Sequence, residues 1–293
     1  MPLNFEPIRL NKQIEYLKYF AQCSQKASDY SFVNLWGWAE EYGLYWAWQD
    51  GLVWIKQTIP ETVYWAPVGQ WQETFWDRWL HDYFTSPAVF TRIPEDLALI
   101  WKEQLGKRII IEEVRDHWDY LYHVYELVSL RGNRFHKKKN LLNQFLKKYR
   151  FEFIPLRIDM INKAMAMQAD WCTWRDCESS ESLSAENRAI ARILNSWENL
   201  QTVSGGAIMV EQDLAAYTIA ESLSEDTIVI HFEKGNQQYK GVYQAINQIF
   251  LEQSAHQHRI VNREQDLGNE GLRNAKISYN PFDFVKKYQI VMK

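Results

Sequence analysis

Residues 226–250, DTIVIHFEKGNQQYKGVYQAINQIF, decide the fold. Positions 227–232 are rich in β-branched and aromatic residues and read as a strand. Glu233-Lys234-Gly235-Asn236 reads as a turn, because Gly and Asn tolerate the backbone angles a reversal needs. Apolar residues then return at helical spacing, which predicts a helix over 243–253. An earlier stretch repeats this order. Positions 121–130 read as a strand, Gly132-Asn133 sits in a polar loop over 131–139, and a helix is expected over 138–148. Asn143-Gln144 stands to Gly132-Asn133 almost as Asn247-Gln248 stands to Gly235-Asn236. Two dipeptides at nearly one offset, in one structural context, point to a duplicated α/β unit. The fold class is therefore α/β, with mixed sheets flanked by helices and domains expected at 1–152 and 153–293.

Working outward, 8–27 reads as a helix with Ile14, Leu17, Tyr19 and Phe20 on one face. Ser31 to Trp38 is ambiguous between strand and helix. Positions 44–48 and 52–55 read as two strands joined through Asp50-Gly51, a hairpin signal. Helices are expected over 71–83 and 91–105, then a strand over 109–114. In the second half a strand is expected over 151–156 and a helix over 158–170, before an irregular polar stretch over 171–181. A helix over 184–200 is expected with Ser184 as N-cap. Strands follow over 203–210 and 215–219, and a last one over 284–291.

The 293 residues suffice for one large domain or two smaller ones, at an ordinary 46% apolar and 24% charged. Aromatics are abundant, with 14 Trp, 16 Tyr and 14 Phe. Many Trp crowd the first hundred residues, which reads as an aromatic core; an apolar ligand groove or membrane-facing surface is the sharper alternative. A net charge of −4 argues against a dedicated nucleic-acid binder, although a local basic patch is compatible with it. No apolar run reaches the ~20 residues that span a bilayer, and the N-terminus lacks a signal-peptide core. Three Cys, an odd number, do not suggest a disulfide framework, so a cytoplasmic location is expected. Neither Cys172 with Cys177 nor His256 with His258 has metal-site spacing, and no metal is expected.

Three clusters are candidates for chemistry. Residues 131–150 hold Arg131, Arg134, Lys137, Lys138, Lys139, Lys147, Lys148 and Arg150 without an acid. A solvated basic helix would look the same, but a strand-to-helix loop also offers backbone N–H groups to a phosphate. Arg134 and Lys137 to Lys139 lie in or beside that loop. His231, Glu233, Lys234, Asn236 and Tyr239 lie on or just after a strand, where a base or substrate-orienting group would sit. His231 alternates with apolar neighbours and would equally face solvent. The third cluster is VNREQDLGNEGLRNAKISYNP, residues 261–281, which follows a short apolar run. In it Asn262, Arg263, Glu264 and Asp266 form either a mutual ion-pair network or a site. In the site reading, Arg263 or Arg273 neutralises a carboxylate or phosphate, Glu264 or Asp266 recognises an amine, and Lys276 and Tyr279 line the same hollow. The catalytic candidates are His231, Glu233, Glu264 and Asp266.

Four segments carry a family resemblance: SFVNLWGW (31–38), LRGNRFHKKKNLLNQF (130–145), residues 226–250 and residues 261–281. Together they resemble the phosphatidylglycerol lysyltransferase C-terminal domain family, which includes stand-alone soluble members. The resemblance implies two tandem acyltransferase-like (GNAT) units. It implies transfer of an aminoacyl or acyl group from a charged tRNA or other activated donor to an amine or hydroxyl acceptor, in a cleft between the units. Aminoacyl-tRNA or acyl-CoA would be the donor, and the partners would be tRNA or a small-molecule donor, with peripheral membrane contact left open. The rival reading is a non-catalytic module that binds a nucleotide, tRNA or an anionic lipid headgroup. A missing Ser-His-Asp arrangement does not count against an enzyme. An aminoacyl ester is already activated, and positioning plus an oxyanion donor supply most of the acceleration.

Overall fold

Hydrophobic strands and amphipathic helices follow one another along the chain, and the computed structural model, which describes residues 2–293, packs them as two units. The first unit holds residues up to Asp119 together with Gln265–Glu270 and Phe284–Lys293. The second holds Tyr120–Glu264 and Gly271–Asp283. Helices at Val124–Ser129 and His136–Lys148 therefore lie in the second unit.

Strands of the first unit are β1 (Glu6–Pro7), β2 (Tyr45–Gln49), β3 (Leu52–Gln57), β4 (Val63–Trp65), β5 (Val68–Gly69), β6 (Ala88–Pro94), β7 (Ile109–Glu113) and, from the end of the chain, β15 (Lys287–Met292). Their order is β1-β2-β3-β4-β6-β15-β7, with β5 paired to β3. Only β4 and β6 run parallel among these pairs. The β2–β3 hairpin turns at Asp50 and Gly51, both at positive φ, as the dipeptide requires. Trp46, Trp54, Trp71, Trp76 and Trp101 are fully buried. Trp101 meets Trp76 and Phe90 edge-on at 5.3 and 5.0 Å, so these rings build a core.

This unit also buries an ion cluster that the sequence reading did not single out. Lys287 Nζ donates to Asp119 Oδ1 at 2.6 Å and also to Asp29, which Arg92 pairs from another side. Ser28 adds its backbone N–H and hydroxyl to the Asp119 carboxylate, each at 2.8 Å. Burial works against the Asp29 charge, but Lys287 and Arg92 outweigh it and hold the carboxyl down at about 2.

The other sheet is formed by β8 (Asp119–His123), β9 (Phe151–Pro155), β10 (Val203–Val210), β11 (Asp213–Ser222), β12 (Thr227–Gly235), β13 (Ile260–Asn262) and β14 (Asp283–Val285), all in the second unit except Asp119, Phe284 and Val285. The sheet order is β14-β8-β13-β12-β11-β10-β9. β12 and β13 are parallel and joined through the helix Val242–Ser254, a crossover that places a polar site at the carboxyl ends of both strands. Gly241 makes the entrance to that helix possible. Its φ is +88°, and a Cβ there would stand 2.1 Å from the Leu141 carbonyl oxygen of the neighbouring helix.

Several local expectations need correction. Ser31 to Trp38 resolves as the helix Phe32–Trp38, with the Ser31 hydroxyl accepting from the Asn34 N–H at 3.2 Å. The helix expected over 91–105 is strand up to Pro94 and helix only over Glu95–Leu105. The helix expected over 71–83 spans Trp76–Tyr83, and at its start the Trp76 N–H donates to the Gln104 side-chain oxygen at 3.1 Å. The strand expected over 121–130 ends at His123 and gives way to the helix Val124–Ser129; a short apolar run does not distinguish the two states. The 171–181 stretch is not irregular at its start. The helix Ile158–Arg175 runs through it and stops at Asp176, whose φ of 50° is left-handed. Ser180, not Ser184, caps the helix Glu181–Asn195 by accepting from the Leu183 N–H at 3.4 Å, while the Ser184 hydroxyl accepts from Arg188. Finally, Cys172 and Cys177 are joined by a disulfide, with Cα atoms 5.0 Å apart, leaving Cys23 as the free, buried thiol. The odd cysteine count concealed a local pair. Among the described residues no helix is long and apolar enough to cross a membrane.

Candidate functional site

The site is built at the end of β13, where three consecutive side chains take three directions. Asn262 is fully buried and its Oδ1 accepts from the Glu264 N–H at 2.7 Å. That bond accompanies a left-handed Glu264, with φ of 56°, a conformation that costs a non-glycine residue roughly 1–3 kcal/mol and clusters at functional sites. Arg263 and Glu264 are thereby aimed at different partners.

Arg263 donates from Nη2 to Glu233 Oε2 at 2.5 Å, and the Glu233 Oε1 accepts from the Asn247 amide at 2.8 Å. The Arg263 carbonyl accepts from Lys276 Nζ at 2.5 Å. Its guanidinium lies 4.8 Å from the centre of the Tyr279 ring, and Lys138 Nζ lies 4.2 Å from that same ring centre. Arg263 Nη1 is buried with no hydrogen-bond partner among the described residues. Burial disfavours the Arg263 charge, but the Glu233 carboxylate more than offsets it, so the guanidinium stays charged. Lys138 is pushed down by its own partial burial and by Arg263. Arg263 thus pairs with Glu233, while Lys276 holds the Arg263 carbonyl and Lys138 shares the Tyr279 ring. One donor, Arg263 Nη1, is uncommitted among the described residues.

His231 stands beside this group on β12. Ile219 pairs with Phe232 and Ala220 with Ile230, so His231 is the extra residue of a bulge. It does not face solvent. Its side chain is fully buried, with Nδ1 2.7 Å from Glu264 Oε1 and Nε2 3.3 Å from Glu221 Oε2. Thr202 donates its hydroxyl to Glu221 Oε1 at 2.5 Å. Burial disfavours the imidazolium, but hydrogen bonds to Glu221 and Glu264, and their charges, raise the His231 pKa to about 9. At neutral pH the ring carries both protons and holds two carboxylates.

The structure gathers His231, Glu233, Asn262, Arg263, Glu264, Lys276, Tyr279 and Lys138 within the second unit. Other sequence candidates lie elsewhere. Lys234 alternates with Glu233 and points to Glu186, at 2.6 Å, with its ammonium 3.7 Å from the centre of the Trp171 ring. Asn236 shapes its own loop by accepting from the Gln238 N–H at 3.0 Å. Tyr239 donates to Asp213 at 3.3 Å. Arg134 pairs with Glu126, while Lys137 and Lys139 are exposed. Arg273 is half-buried on the helix Glu270–Ile277. Asp266 belongs to the first unit, where it is buried, accepts from the Gly268 N–H at 2.9 Å and faces Arg115 at 3.4 Å. Sequence reading missed Glu221, Glu186 and Trp171. For Glu221 a signal exists: it ends the run Ala215–Ala220, in which every residue but Thr218 is apolar, and it is buried with that run on β11.

The chain belongs to the family described as phosphatidylglycerol lysyltransferase, C-terminal, matched over residues 20–291. A crystal structure of a conserved protein of unknown function from Bacteroides thetaiotaomicron is similar over 99% of this chain and 100% of that one, with 28% identity and a TM-score of 0.88. The structure of L-PGS from Bacillus licheniformis covers 98% of this chain and 93% of its own at 13% identity and a TM-score of 0.66, a likeness of fold. An uncharacterized protein of Mycoplasmoides gallisepticum is 23% identical over 198 residues, 67% of this chain; the chain spans 63% of that relative's length. The chain has the mixed-sheet α/β fold class that the resemblance implied.

Proposed function

We propose that this protein transfers an aminoacyl or acyl group from an activated donor, a charged tRNA in the first instance, to an amine or hydroxyl acceptor. The reading rests on one observation. Arg263 is held rigid by Glu233 and Tyr279 yet keeps a buried, uncommitted Nη1, with Lys138 on the same aromatic ring. A fixed, desolvated donor beside a second cation suits a phosphate or a developing oxyanion. The acceptor nitrogen or oxygen attacks the donor's ester carbonyl. A new C–N or C–O bond forms, the ester C–O bond breaks, and the acceptor's proton leaves with the released donor hydroxyl. Arg263 and Lys138 stabilise the negative charge that develops. Glu264 is partly exposed and held by the His231 imidazolium, and it receives the donor's ammonium. His231 orients rather than abstracts, since a doubly protonated ring has no lone pair to offer. The family's name points to a lysyl group and a phosphatidylglycerol acceptor, and these head the panel.

The test is donor deacylation with charged tRNAs and with an acyl-CoA, with and without amine, hydroxyl and lipid acceptors. Lys138→Gln and Arg263→Lys are expected to lower turnover by about 10²-fold or more while circular dichroism stays unchanged. Full turnover in both variants would exclude this site. Saturable binding of donor with no turnover across the panel would favour the non-catalytic module.

A further inference from the structure

On the β12–helix loop of the second unit, away from the Arg263 cluster, a pocket of about 220 Å³ is lined by Trp171, Trp174, Arg175, Asn236, Gln237 and Gln238. We propose that it binds a purine nucleotide, with the base against the tryptophans and the phosphate on Arg175. No residue of the proposed transfer site lines it, so the inference stands or falls separately.

One wall is aromatic and rigid. Trp171 and Trp174 are three residues apart on the last turn of the helix Ile158–Arg175 and share a face. Trp171 is buried and pinned: its indole N–H donates to the Tyr243 hydroxyl at 3.1 Å, and the Lys234 ammonium caps its ring. Trp174 is 48% exposed, an unusual position for a ring that buries so much apolar area when covered. The Cys172–Cys177 disulfide brackets Trp174 and Arg175, so this turn is held in place before any ligand arrives. The opposite wall is a row of carboxamides. Asn236 fixes the loop backbone through the Gln238 N–H at 3.0 Å and the Tyr239 N–H at 3.0 Å. The side-chain amides of Gln237 and Gln238 are exposed and make no hydrogen bond among the described residues.

A carboxamide pairs one donor with one acceptor, which matches the N6/N7 edge of adenine. Exposed indole faces stack bases. No carboxylate lines the pocket, and none pairs with Arg175 among the described residues, which leaves the guanidinium free for a phosphate. The volume is below the ~300–1,000 Å³ of sites that enclose a drug-sized ligand, so the pocket takes one ring and not a whole cofactor.

Intrinsic tryptophan fluorescence and calorimetry of the full chain would be followed during titration with AMP, UMP, glucose 6-phosphate and inorganic phosphate. Saturable AMP binding is expected, about tenfold or more tighter than UMP and glucose 6-phosphate. Trp174→Ala is expected to weaken AMP about tenfold, Gln238→Ala to reduce the AMP-over-UMP preference, and Arg175→Gln to make AMP no better than adenosine. All three side chains are exposed, so the variants keep the fold. Coenzyme A and a short RNA ending in adenosine are added as further arms; tighter binding of either identifies the source of the nucleotide. The proposal is overturned by unsaturable AMP binding, by equal binding of glucose 6-phosphate, or by Trp174→Ala binding like the parent.

Discussion

Alkaline conditions should weaken the second unit through a single ring. His231 is buried between Glu221 and Glu264, and its pKa is raised from 6.5 to about 9. At ~1.4 kcal/mol per unit, that shift makes the charged ring worth about 3 kcal/mol to the folded state. A raised folded-state pKa means protons are held more tightly in the native state. The contribution is therefore complete below pH 6.5 and is lost as pH rises through about 9. About three-quarters of it is present at pH 7, and little remains at pH 10. Loss of the proton also leaves two carboxylates facing a neutral ring. Guanidinium denaturation of the parent and of His231→Gln at pH 7, 8, 9 and 10 isolates the effect from other titrating groups. The difference in stability between the two proteins should shrink by roughly 2–3 kcal/mol over that range. Parallel curves would refute the reasoning. So would an NMR titration in which the His231 ring changes state near its ordinary value.

Three further outcomes follow from the packing. Lys287→Met should cost about 3–5 kcal/mol, measured by urea denaturation, because it leaves Asp29 and Asp119 buried without their shared cation. Gly241→Ala should cost about 2–4 kcal/mol by thermal denaturation, combining a left-handed backbone with a Cβ driven into the Leu141 carbonyl. Trp101→Ala should cost about 3–5 kcal/mol, read as a lower midpoint in the same assay, since the fully buried indole wedges between Trp76 and Phe90.

Regular periodicity made the β10–β12 meander and the helix after it legible, and Asp50-Gly51 announced its hairpin. The 261–281 segment was recognisable as a site because charge of both signs after an apolar strand demands partners. What stayed hidden depends on long-range pairing. Nothing local distinguishes Lys287, in a C-terminal strand, from a solvated lysine, yet it is fully buried between carboxylates over 150 positions away. The His231 environment was hidden for a similar reason. A bulge turns the ring away from the face that simple alternation assigns, and its two acid partners come from other strands or their ends. Lys137, Lys138 and Lys139 look equivalent in sequence, and helical geometry alone selects Lys138 for the Tyr279 ring.

β15 lies between β6 and β7, so the first unit's sheet acquires an interior strand from residues 287–292, which are synthesised after every strand of the other sheet. That sheet cannot close until residue 292 has emerged from the ribosome, and until then the edges of β6 and β7 that β15 will join stay unsatisfied. The first unit is therefore begun before the second and closed after it, and a nascent chain stalled short of residue 287 should depend on a chaperone to shield it.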